Sequence, residues 1–168
     1  MRGTHGWAEV SRERKREIID AIVANTPTTG PVHAELDLTD RCNVACYFCN
    51  QQDLRTKDQI PIQKTTELID ELASTGLRSV RLSGGGDPLF HREINDVLAH
   101  LASRSIVVDN VTTNGAALSR DTAGFLVQNK ARPVGLSLKA VDCADCAARV
   151  KVKPALFDEE VTGMKTPV

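Results

Sequence analysis

"HAELDLTDRCNVACYFC", residues 33–49, joins a segment of alternating apolar and polar residues to a loop with three closely spaced cysteines. The alternation over residues 33–39 predicts a β-strand. The loop that follows contains Cys42, Cys46 and Cys49. In α/β folds ligands bind beyond the carboxyl ends of the strands, so the sequence predicts a site at the end of this first strand.

Strand and helix patterns alternate along the rest of the central chain. Further strands are predicted at 78–83, 105–114 and 133–140, and helices at 63–76, 92–103 and 119–129. Apolar stripes mark two of these helices: Leu68, Ile69 and Leu72 in the first, and Ile94, Val97, Leu98 and Leu101 in the second. Four strand–helix repeats predict an α/β fold with a parallel sheet or a (β/α) barrel.

The two ends of the chain have a different pattern. Residues 10–25 read as an amphipathic helix with Ile18, Ile19, Ile22 and Val23 on one face, followed by a proline- and glycine-containing break. Two further helical stretches are expected at 144–150 and 154–164. We therefore expect residues 1–30 to form an N-terminal helix and linker, and residues 31–168 to form one core domain.

Composition excludes several classes of function. The chain has 168 residues, 41% of them hydrophobic and 26% charged, with a net charge of −1. It therefore lacks the positive charge typical of proteins that bind nucleic acid or anionic membranes. No apolar run is long enough to cross a bilayer, and the N-terminus lacks the apolar region of a secretory signal. We expect a cytoplasmic protein, in which clustered cysteines favour metal binding or catalysis over disulfides.

Four explanations of the cysteine loop compete. A disulfide is disfavoured in a reducing compartment and leaves one thiol over. A structural zinc needs four ligands, and no second Cys or His pair stands nearby at a suitable spacing. A thioredoxin-like redox pair would use Cys46 and Cys49 but not Cys42. The fourth explanation is an iron–sulfur cluster held by thiolates, in which three cysteines leave one iron open.

The cysteine loop resembles the cluster-binding loop of radical S-adenosylmethionine (radical SAM) enzymes. "CNVACYFC" (42–49) carries this resemblance, and later segments extend it. "RLSGGGDPL" (81–89) resembles the family's Gly-Gly-Glu-Pro motif, "VTTNGAAL" (111–118) its third-strand segment, and "VGLSLKAVD" (134–142) its fourth strand. The similarity covers about residues 33–163, and the sequence around 148–164 is similar to members with a cysteine-rich C-terminal domain.

This resemblance implies two cofactors and a set of residues that hold them. A [4Fe–4S] cluster would bind Cys42, Cys46 and Cys49, and S-adenosylmethionine would bind the open iron. The implied cofactor-binding residues are Phe48, Gly85, Gly86, Asp87, Pro88, Thr113, Asn114 and Ser137. Asp87 stands where the family has Glu, and Lys139 stands where it has Asp or Asn.

Simpler interpretations exist for some of these motifs. The glycine run is also typical of a tight turn between a strand and a helix, Asn114–Gly115 of an ordinary turn, and Ser137 of a hydrogen-bonded core hydroxyl. Cys143 and Cys146 form a second pair that is too small to hold a cubane, and we interpret them as incidental thiols.

The resemblance also implies an activity: reductive cleavage of S-adenosylmethionine to a 5′-deoxyadenosyl radical that abstracts hydrogen from a peptide or small-molecule substrate. The expected partners are that substrate and a flavodoxin- or ferredoxin-like electron donor, without nucleic acid or membrane. The family barrel has more than four βα units, so we expect a partial (β/α) barrel of the radical SAM type with about four βα units. This core would be incomplete and C-terminally truncated, with possible self-association through the open barrel edge. The alternatives are a catalytically incompetent homologue and a cluster-binding electron carrier or redox sensor.

Overall fold

The computed structural model describes residues 16, 19–20, 23–24, 30–129, 131 and 134–137. Within them a four-stranded parallel sheet has the order β1-β2-β3-β4. The strands are β1 (His33–Asp37), β2 (Ser79–Ser83), β3 (Val107–Thr113) and β4 (Val134–Leu136). The sequence order of the strands is also their spatial order, which is the arrangement of successive βα units in a barrel wall. The predicted α/β class and parallel sheet are confirmed.

Three helices connect the strands, at the positions the sequence predicts. They are α1 (Ile62–Ser74), α2 (Ile94–Ser103) and α3 (Arg120–Gln128). Ser119 caps α3, because its hydroxyl accepts a hydrogen bond from the Thr122 backbone N–H. Gly76 follows α1 with a φ of 101°, the left-handed conformation in which glycine ends a helix without steric cost.

The core lies between the helices and one face of the sheet. Its buried side chains come from one face of the sheet and from the helix stripes: Leu36, Val80, Leu82, Val108 and Val111 from the sheet, with Ile69, Ile94, Val97, Leu98, Leu101 and Leu126 from the helices. The predicted stripe of α2 is confirmed in full. The stripe of α1 is partly wrong: Leu68 is 38% exposed, and Thr65 is buried beside Ile69.

Most of the predicted helix 10–25 lies outside the described residues. Residues 16, 19, 20 and 23 are helical, and the Ala24 backbone N–H donates to the Asp20 carbonyl at 2.9 Å. Ile19 and Val23, two of the four residues predicted to share the apolar face of this helix, are 58% and 81% exposed. The helices expected at 144–150 and 154–164 also lie outside the described residues.

No helix among the described residues is long and apolar enough to cross a membrane.

Candidate functional site

The carboxyl ends of β2, β3 and β4 meet the cysteine loop, which follows β1, at one cleft. The cleft has a volume of about 280 Å³. Its lining includes the three cysteines with Phe48, the glycine run with Asp87, the end of β3 with Thr113 and Asn114, and Ser137 after β4. Every predicted site residue except Pro88 therefore lines one cavity. Pro88 is buried instead, in a short 3₁₀ helix, Pro88–Phe90, that starts after Asp87.

Hydrogen bonds join the two ends of the cysteine loop just beyond the end of β1. The Ile60 backbone N–H donates to the Leu38 carbonyl at 2.9 Å, and the Thr39 hydroxyl donates to the Asp58 carbonyl at 2.8 Å. Between these anchors the chain turns tightly, because the Cys49 N–H donates to the Cys46 carbonyl at 2.9 Å.

The three thiols differ in exposure. Cys46 is buried at 3% exposure, whereas Cys42 and Cys49 are half-buried. Phe48, between two of the cysteines, is 54% exposed and its ring contacts that of Tyr47 edge to face, with the ring centroids 5.1 Å apart. Cys143 and Cys146 lie outside the described residues.

The glycine run packs directly against the start of the cysteine loop. The Gly86 N–H donates to the Thr39 carbonyl at 3.0 Å, and the Asp87 N–H donates to the Arg41 carbonyl at 2.9 Å. A Cβ on Gly86 would overlap the backbone of residues 40–41. Glycine is therefore required at position 86 for contact between two protein segments, a reason that the sequence did not reveal.

Gly84 needs glycine for a different reason. Its φ is 137°, and a Cβ there would overlap the Asp37 carboxylate. That carboxylate accepts a hydrogen bond from the Gly85 N–H at 2.9 Å. The end of β1 thus fixes the turn that follows β2.

The Asp87 side chain points toward the end of β3. Its carboxylate accepts hydrogen bonds from the Thr113 hydroxyl at 2.9 and 3.0 Å, from the Asn114 N–H at 2.7 Å and from the Leu89 N–H at 3.0 Å. Asp87 and Thr113 are 4% and 2% exposed. These bonds tie the turn after β2 to the turn after β3, so both predicted interpretations of Asp87, turn residue and site residue, fit its position.

Asn114 connects the third strand to the cysteine loop. Its side-chain amide donates to the Asn43 carbonyl oxygen at 2.7 Å, and its nitrogen lies 3.9 Å from the Cys42 sulfur. Its own side-chain oxygen accepts from the Ala116 N–H at 2.9 Å, which is the predicted turn. Ser137 joins the edge of the site through its backbone N–H, which donates to the Thr113 carbonyl at 2.7 Å.

Sequence reasoning missed Arg55, which makes three hydrogen bonds inside the site. Its Nε donates to the Gly85 carbonyl at 2.9 Å, its Nη1 to the Val44 carbonyl at 2.7 Å and its Nη2 to the Cys49 sulfur at 3.1 Å. Nothing in the sequence distinguishes this arginine from other loop arginines. Thr112, Asn50 and Gln51 also line the cleft and were not predicted.

Asp40 supports the loop from outside the cleft. The Thr56 hydroxyl donates to its carboxylate at 2.7 Å, and this bond is the main cause that lowers the pKa of Asp40 below its ordinary value. A second cleft of about 450 Å³ runs along the base of the loop beside Asp40 and contains none of the predicted site residues.

The donor set fits an iron–sulfur cubane better than a single metal ion. Among the described residues no three His, Cys, Asp or Glu side chains are placed to hold one ion together. Each cysteine ligand of a cubane binds a different iron, so the three thiolates need not converge on one point. Cys42, Cys46 and Cys49 all line the cleft, and two of them are already within reach of side-chain N–H groups.

A partial α/β barrel with a three-cysteine loop at the carboxyl end of its first strand defines a recognisable class of protein. The profile of the Radical SAM superfamily matches residues 36–165. The chain belongs to this superfamily, whose cofactors are a [4Fe–4S] cluster and S-adenosylmethionine.

The similar curated proteins include several named GTP 3′,8-cyclase. The chain is 32% identical over 112 residues to that of Synechocystis sp., covering 64% of this chain and 33% of the relative. It is 28% identical over 151 residues to that of Nitrobacter winogradskyi, covering 86% of this chain and 41% of the relative. The chain thus spans about a third to two fifths of the length of these relatives.

Solved structures share the fold at low sequence identity. Streptococcus suis SuiB, in a complex with S-adenosylmethionine, has a TM-score of 0.63 at 20% identity, covering 90% of this chain and 34% of SuiB. A structure titled native anSMEcpe, with bound AdoMet and the Kp18Cys peptide, has a TM-score of 0.61 at 14% identity, covering 79% of this chain and 40% of that one.

Proposed function

We propose that the chain forms the cofactor-binding core of an enzyme that reductively cleaves S-adenosylmethionine to a 5′-deoxyadenosyl radical for hydrogen abstraction. One observation carries this proposal: the three cysteines, the glycine turn and the ends of β3 and β4 line a single cleft. An electron carrier needs only the cysteines, so the convergence of the other motifs on the same cavity supports an enzyme.

Different cleft residues would bind the cluster and S-adenosylmethionine. Cys42, Cys46 and Cys49 would hold three irons of a [4Fe–4S] cluster, and the protein offers the fourth iron no cysteine from this loop. When bound, the cluster and S-adenosylmethionine supply one-electron cleavage of the sulfonium and a carbon radical. The glycine turn, Thr113, Asn114 and Ser137 would form the walls that orient the cofactor and keep water away from the radical.

The substrate class is a peptide or a small molecule, as the sequence resemblance implies. Similar proteins span both classes: several are named GTP 3′,8-cyclase, and SuiB is bound to the precursor peptide SuiA in a solved structure. The required electron would come from a flavodoxin- or ferredoxin-like donor. Thiols available for cluster assembly suit a reducing compartment, and we place the protein in the cytoplasm on that ground.

Anaerobic reconstitution tests this proposal. The protein is loaded with iron and sulfide, reduced with dithionite in the presence of S-adenosylmethionine, and analysed for 5′-deoxyadenosine by chromatography. We expect a broad visible absorbance and formation of 5′-deoxyadenosine. Absorbance without 5′-deoxyadenosine would indicate an electron carrier, a redox sensor or an incompetent homologue, and would contradict the proposal.

Cysteine variants supply the matched controls. Alanine at Cys42, Cys46 or Cys49 should abolish both the absorbance and the product, whereas alanine at Cys143 or Cys146 should leave both nearly unchanged. Iron retained in Cys42→Ala but lost in Cys143→Ala would show that the cluster is held elsewhere.

A further inference from the structure

Arg55 connects the cysteine loop, the glycine turn and one of the predicted cluster ligands. We propose that Arg55 is a positioning residue that also raises the reduction potential of the cluster through its charge beside Cys49. This inference rests on the proposed function, since it needs a cluster on the three cysteines. Its physical basis is the set of three hydrogen bonds to Gly85, Val44 and Cys49, at 2.7–3.1 Å.

The chemistry of arginine suits this position. The guanidinium presents its N–H groups as a rigid planar fork, and its three nitrogens donate to three residues, two in the cysteine loop and one in the glycine turn. A lysine ammonium is a compact point charge and lacks this planar fork. Arg55 is half-buried, so its hydrogen bonds and charge are partly shielded from water.

The Val44 contact lies inside the cysteine loop. Val44 lies between Cys42 and Cys46 in the sequence and its side chain is buried. Its carbonyl accepts a hydrogen bond from Nη1 of Arg55. The Gly85 carbonyl accepts from Nε of the same group. Arg55 therefore holds the loop against the turn after β2, and its third nitrogen is thereby directed at Cys49.

The sign of the electrostatic effect follows from the charge change on reduction. One electron passes from a low-potential donor to the cluster and adds one negative charge, and no bond to the protein forms or breaks. A permanent positive charge near a ligating sulfur stabilises the more negative, reduced state. Hydrogen bonds to cluster sulfurs act in the same direction, so loss of Arg55 lowers the reduction potential.

Three variants separate charge from mechanical support. Arg55→Met removes the charge and all three donors while keeping a long side chain. Arg55→Lys keeps the charge and loses the fork. Arg92→Met removes a charge from an exposed arginine that does not line the cleft, and serves as the matched control.

The measurement is a redox titration of the reconstituted cluster, followed by electron paramagnetic resonance without S-adenosylmethionine. In Arg55→Met we expect the reduced-to-oxidised ratio at the wild-type midpoint to fall about tenfold, which corresponds to a midpoint about 59 mV lower for one electron. Arg55→Lys should stay closer to wild type than Arg55→Met does, and Arg92→Met should match wild type.

Each other outcome overturns the inference. Equal midpoints in wild type and Arg55→Met would exclude the electrostatic role. Both Arg55 variants could also lose iron while thermal unfolding shows an intact fold. Arg55 would then be needed only to hold the cluster site together, and its proposed effect on the reduction potential would be excluded. If wild type itself takes up no cluster, the proposed function fails first, and that result is read from the wild-type absorbance alone.

Discussion

Asp87 replaces the glutamate expected at the end of the glycine motif, and its shorter side chain reaches the end of β3. The buried carboxylate accepts from one hydroxyl and two backbone N–H groups. At the scale of single residues, this carboxylate joins the turn after β2 to the end of β3. Asp87 still lines the cleft, so its position contributes to the site through the turns it holds together.

Asp87→Asn should therefore destabilise the protein before any cofactor is added. The amide keeps one acceptor and turns an NH₂ group toward groups that donate, so we expect a loss of about 1–3 kcal/mol in the free energy of unfolding. Urea unfolding of the metal-free protein measures it. Thr113→Val should show a coupled effect in a double-mutant cycle with Asp87→Asn. Unchanged stability with weakened S-adenosylmethionine binding would mean that the carboxylate faces the ligand instead.

Two glycines allow a matched comparison between a position where a side chain would clash and a position where it would not. A Cβ at Gly86 overlaps the backbone of residues 40–41, whereas a Cβ at Gly124, inside α3, meets nothing within 4 Å. Gly86→Ala should displace the cysteine loop, lower stability by about 1–3 kcal/mol and reduce iron uptake.

Gly124→Ala should have the opposite effect. Alanine in a helix interior is favoured over glycine, so we expect a gain of about 0.5–1 kcal/mol with iron uptake unchanged. Urea unfolding and iron analysis of both variants check the pair. Full iron uptake by Gly86→Ala would show that the glycine turn and the cysteine loop are not packed as described.

At the scale of the elements, α1 and α2 are linked by a partly exposed ionic network. Asp70 on α1 accepts from His100 on α2 at 2.6 Å and from Arg104 after it at 2.7 and 2.8 Å. The His100 hydrogen bond, followed by Arg104, lowers the pKa of Asp70 below its ordinary value of 3.8.

This pKa shift fixes the direction of a pH effect. A carboxyl group whose folded pKa is depressed stabilises the fold above its ordinary pKa, and that contribution is lost as the pH falls through the folded pKa. Asp70→Asn should therefore melt below wild type at pH 7, and the difference in melting temperature should shrink below pH 3.8. Thermal unfolding of both proteins from pH 7 to pH 3 measures it. A difference that grows as the pH falls below 3.8 would contradict this assignment.

The elements themselves were largely predictable, whereas the contacts between them were not. Helical spacing identified the buried stripe of α2 because four apolar residues recur on one face. Leu68 fits the same spacing in α1 but lies at the edge of the packed face, where burial depends on neighbouring elements. The end of β2 lies at the predicted residue and that of β1 two residues before it, but the sequence gives no signal for the pairing of Asp87 with Thr113, 26 residues away.

At the scale of the whole molecule, the motifs of the candidate site were also predictable from the sequence, whereas the contacts between them were not. The cysteine, glycine and Asn-Gly motifs are local patterns, and the topology of parallel strands brings them together. Arg55 lines this site and Asp37 supports its glycine turn, and they contact Gly85 across 30 and 48 residues of sequence respectively. Such contacts depend on the folded geometry, so a single sequence does not predict them.

Because the cysteine loop is anchored to three of the strand ends, cluster binding should stabilise the whole α/β fold. The anchors are the bonds from the loop to Asn114, to Gly86 and, through Arg55, to Gly85, in addition to the loop base at Leu38. A group that binds only the folded state shifts the unfolding equilibrium toward it.

We expect the reconstituted protein to unfold in one transition at a higher temperature than the metal-free protein, by about 2–4 °C for each kcal/mol of added stability. Anaerobic circular dichroism of both forms measures the shift, and Cys42→Ala carried through the same reconstitution should show none. A cluster that forms without any change in the melting of the helices would mean that the loop is an independent unit, and that its hydrogen bonds to the strand ends do not couple the site to the fold.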